Sequence, residues 1–83
     1  MGKLKLDHKV VVVKWGDAFI ETDDFKQRDA DKTKPVYRWT TGFLIADNKH
    51  GLVLATDYYE KKKDGFAAKM FIPHGMVIEY WEY

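Results

Sequence analysis

An 83-residue chain that is 46% hydrophobic and 16% aromatic has material for one small domain with a single core. Without cysteine it has no disulfide framework, no thiolate metal site and no cysteine nucleophile, a composition that suits the cytosol. Its 14 basic and 13 acidic residues leave a net charge of +1, below the excess that a dedicated duplex-DNA binder carries, and no apolar run approaches the roughly 18 residues of a membrane span.

Residues 1–8 alternate Leu4 and Leu6 with Lys3, Lys5 and Asp7, and read as a short edge strand or a flexible arm. They lack the apolar core and cleavage site of a signal peptide. The run Val10-Val11-Val12-Val13 has strong β-propensity and no helical period, which predicts a first strand over Lys9–Trp15 covered on both faces or by an oligomeric neighbour. Trp15-Gly16-Asp17-Ala18 is expected to break it, with Asp17 bonding backbone amides of the turn, before Phe19 and Ile20 return to the core.

From Glu21 to Lys34, nine of fourteen residues are charged and Phe25 is the single large apolar one. Such a segment buries too little area to offset its ordering entropy. Residues 21–35 therefore read as a long exposed charged loop between strands 1 and 2, with room for a short helix near Asp23–Arg28 capped by Thr22 or Asp23. Val36–Thr56 then carries a hairpin around Asp47-Asn48-Lys49-His50-Gly51. Period-two alternation puts Tyr37, Trp39, Thr41, Phe43 and Ile45 on one face and Arg38, Thr40, Gly42 and Leu44 on the other. Gly42 is expected at a bulge or bend. After Asp57–Gly65, a fourth strand spans Phe66–Ile72. Pro73-His74-Gly75 interrupts, and Met76–Trp81 closes the chain with Val77, Glu79 and Trp81 on one face. The expectation is all-β: one domain over residues 1–83, a five-stranded SH3-like or Sm-like partly open barrel, with an OB-like barrel second.

Chemistry is sparse. There is no serine, no phosphate-binding glycine loop and no histidine pair at metal-ligand spacing, and His8, His50 and His74 all fall in predicted tails or turns. The carboxylates of Asp23, Asp24, Asp29 and Asp31 are interleaved with Lys and Arg and do not follow the EF-hand pattern. The expectation is a non-enzymatic protein without a cofactor or metal. What remains is aromatic and basic. Tyr37, Arg38, Trp39, Tyr58, Tyr59 and Lys61-Lys62-Lys63, joined by Phe25 and Arg28 from the charged loop, form the candidate contact set. Such side chains anchor protein interfaces. They equally suit stacking of single-stranded nucleic acid over a cationic rim. Tyr80, Trp81 and Tyr83, added to Trp15 and Trp39, exceed what a small barrel buries, so homo-oligomerisation through an edge strand is expected.

Four stretches, Trp15-Gly16-Asp17-Ala18, Thr41-Gly42-Phe43-Leu44-Ile45, Leu52-Val53-Leu54-Ala55 and Ile72-Pro73-His74-Gly75-Met76-Val77, together resemble small bacteriophage- and prophage-encoded β proteins. Those proteins share a strand with Trp-x-Asp, a variable loop, a Thr-Gly-aromatic strand and an Ile-Pro turn. The resemblance spans roughly residues 10–80 and carries no catalytic residues. It implies a phage-type accessory protein in the cytoplasm of a bacterial host cell, acting by binding a host protein or a small, nucleotide-like ligand, for example to counter host defence.

Overall fold

The computed structural model describes residues 6–83, so most of the arm predicted at 1–8 lies outside the described residues. The strands are β1 (Val10–Asp17), β2 (Val36–Asn48), β3 (Gly51–Tyr58), β4 (Phe66–Pro73) and β5 (Val77–Glu82). One α-helical turn, α1 (Gln27–Asp31), and two 3-10 turns at Lys62–Asp64 and His74–Met76 complete the elements of the described residues. All five strands pair antiparallel in one sheet, in the order β4-β3-β2-β1-β5. The all-β expectation holds, and the sheet is not closed.

The sheet must nevertheless curl. β4 and β5 are its two edges, yet only the turn His74–Met76 joins them. Four steps of extended chain reach about 14 Å, whereas four interstrand spacings on a flat sheet span about 19 Å. The edges therefore bend toward each other at the Pro73 end of β4.

β1 supplies the centre of the core by simple alternation. Val11, Val13 and Trp15 are buried, while Val10, Val12 and Lys14 between them are half-buried. Leu52 and Leu54 of β3 and Ile72 of β4 complete the buried cluster, with Leu44, Met70 and Val77 packed against it. The indole N–H of Trp15 is satisfied inside, donating to Thr40 Oγ1 at 2.9 Å. One face of the β1 valines is thus covered by the core; among the described residues no second layer of elements covers the other.

Several local expectations are corrected. β1 runs through Trp15 and Gly16 to Asp17, because each of these residues still pairs with β2 (Trp15 with Arg38, Gly16 with Tyr37, Asp17 with Val36). Asp17 does not bond turn amides; its carboxylate accepts from Arg38 Nη1 at 3.1 Å. Phe19 and Ile20 do not return to the core, and Ile20 is 93% exposed, since the chain leaves the sheet after Asp17. The connection 18–35 is exposed throughout but carries α1, one turn later than expected, with Lys26 at its N-cap. The Lys26 amide donates to Asp29 Oδ2, and Gln27 Nε2 donates to Asp31 Oδ1 one turn on, which is why the helix starts here and not at Thr22 or Asp23.

The bulges also fall elsewhere. In β2 the register shifts between Leu44 and Ala46, so Ile45 is the extra residue, and Gly42 lies in regular pairing opposite Val11. Gly42 is needed for closeness instead: a Cβ there would sit 2.9 Å from the Ala55 carbonyl oxygen. In β5 the shift between Lys14 and Trp15 makes Ile78 the extra residue. Val77 then faces the core side with Trp15 while Glu79 and Trp81 pair with Lys14 and Val12, so Val77 does not share a face with Glu79 and Trp81.

The β2–β3 hairpin tip is clasped by side-chain chemistry. Asn48 Oδ1 accepts from the amides of His50 (2.8 Å) and Gly51 (3.2 Å). The His74 ring Nε2 lies 2.7 Å from the Asn48 carbonyl oxygen and 3.2 Å from Asp47 Oδ1. The His74 amide donates to the His50 carbonyl, tying the tip to the end of β4.

Candidate binding face

The register that buries Val11, Val13 and Trp15 turns the alternate residues of β1, β2 and β5 outward. Lys14 lies opposite Trp39 on one side and Glu79 on the other; Val12 lies between Thr41 and Trp81. Gly16 opposite Tyr37 extends this row toward the end of β1. Across the small Val12 side chain, Trp39 and Trp81 reach each other and stack, with ring centroids 5.4 Å apart and planes inclined by 12°. Both remain open to solvent, Trp39 at 61% and Trp81 at 40%. Lys14 Nζ stands 5.4 Å from the Trp39 ring centroid and 5.7 Å from that of Tyr37, within reach of both aromatic faces. The result is a three-strand surface of stacked aromatics bearing one cation and one anion.

Farther along the sheet, aromatic packing continues around Phe43 and Tyr58, both half-buried. Phe43 meets Tyr58 edge-on at 4.9 Å, and His8 packs edge-on against Tyr58 and Phe66. His8 is therefore half-buried against rings, and His74 is exposed but held at the hairpin tip. Among the described residues no group of histidine, cysteine and carboxylate side chains is arranged to hold a metal ion.

The predicted contact residues thus divide. Tyr37 and Trp39 belong to the outer face. Arg38, between them, points to the other side, where it pairs with Asp17 and lies 5.7 Å above the Trp15 ring. Its role is to cover the core. Replacing Arg38 by alanine is expected to cost at most about 1 kcal/mol, the value of an exposed pair, and to leave binding at the outer face unchanged; a titration of Arg38→Ala beside wild type checks both. Tyr58, Tyr59 and Lys62 line a cleft of about 270 Å³ with His8 and Phe66, away from the tryptophans, while Lys61 and Lys63 stand exposed beside it. Phe25 lies in the 18–35 connection, where it lines a separate hollow of about 430 Å³ with Phe19 and Asp29, and Arg28 is exposed on α1.

Sequence reasoning left Lys14, Glu79 and Trp81 out of the contact set. Lys14 looked like the end of an apolar run, and only the β1–β5 pairing reveals that it sits between Trp39 and Glu79. An open groove of about 720 Å³ adjoins the face at Tyr37 and is lined by Phe19, Pro35, Met76 and Ile78. No family model, curated protein or solved structure matches the chain. Among the described residues, no helix is long and apolar enough to cross a membrane.

Proposed function

We propose that this is a non-enzymatic binding protein whose contact surface is the outer face of β1, β2 and β5, and that it self-associates. The observation that carries the reading is the solvent-open Trp39–Trp81 stack with Lys14 beside it. Tyr and Trp in such settings are the residues that anchor protein contacts, because they present large rigid area at small entropic cost. Glu79 next to Lys14 leaves the face without net charge, which favours a protein or apolar partner over a polyanion. A phage-type accessory role in the cytoplasm of a bacterial cell, on a host protein or small ligand, is the context that the sequence resemblance adds.

The sheet itself reads best as an SH3-like or Sm-like partly open barrel. Its strand order, the curl forced by the short β4–β5 link and the 3-10 turn before the last strand support that reading.

The test is a photo-crosslinking residue placed at Thr41, which is exposed beside Val12 in this face, with Thr56 as an exposed control. In bacterial cells, Thr41 is expected to yield protein adducts, to itself or to another chain, that Trp39→Ala removes. Equal adducts from both positions, or none, would contradict the reading. Lys14 over two rings also favours a second reading, single-stranded nucleic acid stacked on the tryptophans. Tryptophan quenching by an oligodeoxythymidine, with affinity falling steeply as salt rises, would support that alternative.

A further inference from the structure

We infer that the occupant of the outer face is a second copy of this chain, seated on the same face across a two-fold axis. This rests on the reading that the face is a contact surface, and three observations name the partner.

The first is area. On this face Tyr37, Trp39 and Trp81 are 51%, 61% and 40% exposed, and rings of this kind bury about 150–250 Å² each when covered. Fifteen large apolar side chains are exposed among the described residues, and a second copy on this face would cover Tyr37, Trp39 and Trp81 of them.

The second is charge. A two-fold interface must be complementary to itself, so that each residue meets a partner that its own symmetry mate also meets. This face carries one lysine and one glutamate, side by side across the β1–β5 pair. Among the described residues Lys14 and Glu79 form no ion pair, whereas Lys9–Glu82, Arg38–Asp17 and Asp47 with the His74 ring do. Facing copies let Lys14 of one chain meet Glu79 of the other, twice, around the aromatic centre.

The third is the valines. Val10 and Val12 remain only half-buried on the side away from the core, and Val12 lies between Thr41 and Trp81 on the strand at the middle of this face. A mating copy would cover the uncovered side of β1.

The experiment is sedimentation velocity from low to high micromolar protein, with circular dichroism to confirm that each variant is folded. Wild type is expected at twice the 9.8 kDa chain mass. Trp39→Ala should weaken dimerisation by about 30-fold, the effect of losing a central anchor. Lys14→Glu and Glu79→Lys should each be monomeric, since like charges then face each other. Mixed one to one, these two variants should dimerise again, because each supplies the charge that the other lost. Recovery only in the Lys14→Glu/Glu79→Lys double variant and not in the mixture would place the pair within one chain and overturn the proposal. A dimer indifferent to all three single substitutions would overturn it as well. A monomeric wild type whose Thr41 still crosslinks to another protein would overturn the second copy and leave the contact-surface reading standing. A monomer without Thr41 adducts would sink both.

Discussion

Replacing Trp15 by alanine is expected to remove most of the stability of this domain. The indole is 6% exposed at the end of the β1 core row, it donates to Thr40 Oγ1, and the Arg38 guanidinium lies over its ring. Truncating a buried tryptophan costs about 3–5 kcal/mol, while small domains hold about 5 kcal/mol or a little more in total. The loss also strips Thr40 and Arg38 of their partner at once. Two milder variants divide the effect. Trp15→Phe retains much of the packing and loses the N–H donor, for an expected cost of about 1–2 kcal/mol. Thr40→Val keeps the ring but strands its donor, at about 1–3 kcal/mol. Chemical denaturation followed by far-ultraviolet circular dichroism reads all three. A Trp15→Ala midpoint close to that of wild type would show that the core is not organised around this ring.

Gly51→Ala is expected to have the next largest effect, and for a different reason. A Cβ at Gly51 would collide with the Ile72 carbonyl oxygen and lie 2.8 Å from Pro73 Cα. Both are backbone atoms, so no side chain can swing aside. β3 and β4 would have to separate beside the Leu52–Ile72 pair, and the Asn48 clasp on the Gly51 amide would shift with them. Overpacking of this kind costs about 1–3 kcal/mol. Gly75→Ala is the natural control, because a Cβ there meets nothing within 4 Å; its effect should stay within about 0.5 kcal/mol. Equal thermal midpoints for the two alanine variants would contradict the close approach at Gly51.

Strand identity was legible because it rests on local pattern. The valine run, the Asn48–Gly51 turn and the Ile72-Pro73 break each carry their own chemistry, and each lies where an element begins or ends. The face of Tyr37, Trp39, Thr41 and Phe43 was legible for the same reason: alternation survives any partner. What failed needed knowledge of neighbours. Trp15-Gly16-Asp17 looks like a turn, yet β2 supplies pairing for all three residues and keeps them extended. The bulges at Ile45 and Ile78 depend on the opposite strand, so nothing in their own residues marks them. Phe19 and Ile20 look like core by hydropathy alone; the chain has already left the sheet when it reaches them. The same limit hid half of the binding face. Trp39 is visible as an exposed aromatic candidate, but its union with Lys14, Glu79 and Trp81 joins residues from strands at positions 14, 39 and 79–81 that only the β5-β1-β2 order brings together.

That order has a consequence for how the chain acquires its structure. β1 is the first of the five strands to be made, and one of its two neighbours is the last: Val11 pairs with Glu82, 71 residues away. During synthesis β1 can zip to β2 once residue 43 is free, but its other edge stays open until Val77–Glu82 has emerged. Pairings of such long sequence separation are slow to form, on the millisecond-to-second scale typical of non-local β topologies. In that interval the valine strand is a bare, sticky edge, the state from which nascent chains aggregate. The charged 18–35 segment, made directly after β1, keeps a strongly hydrated stretch beside that edge while it waits.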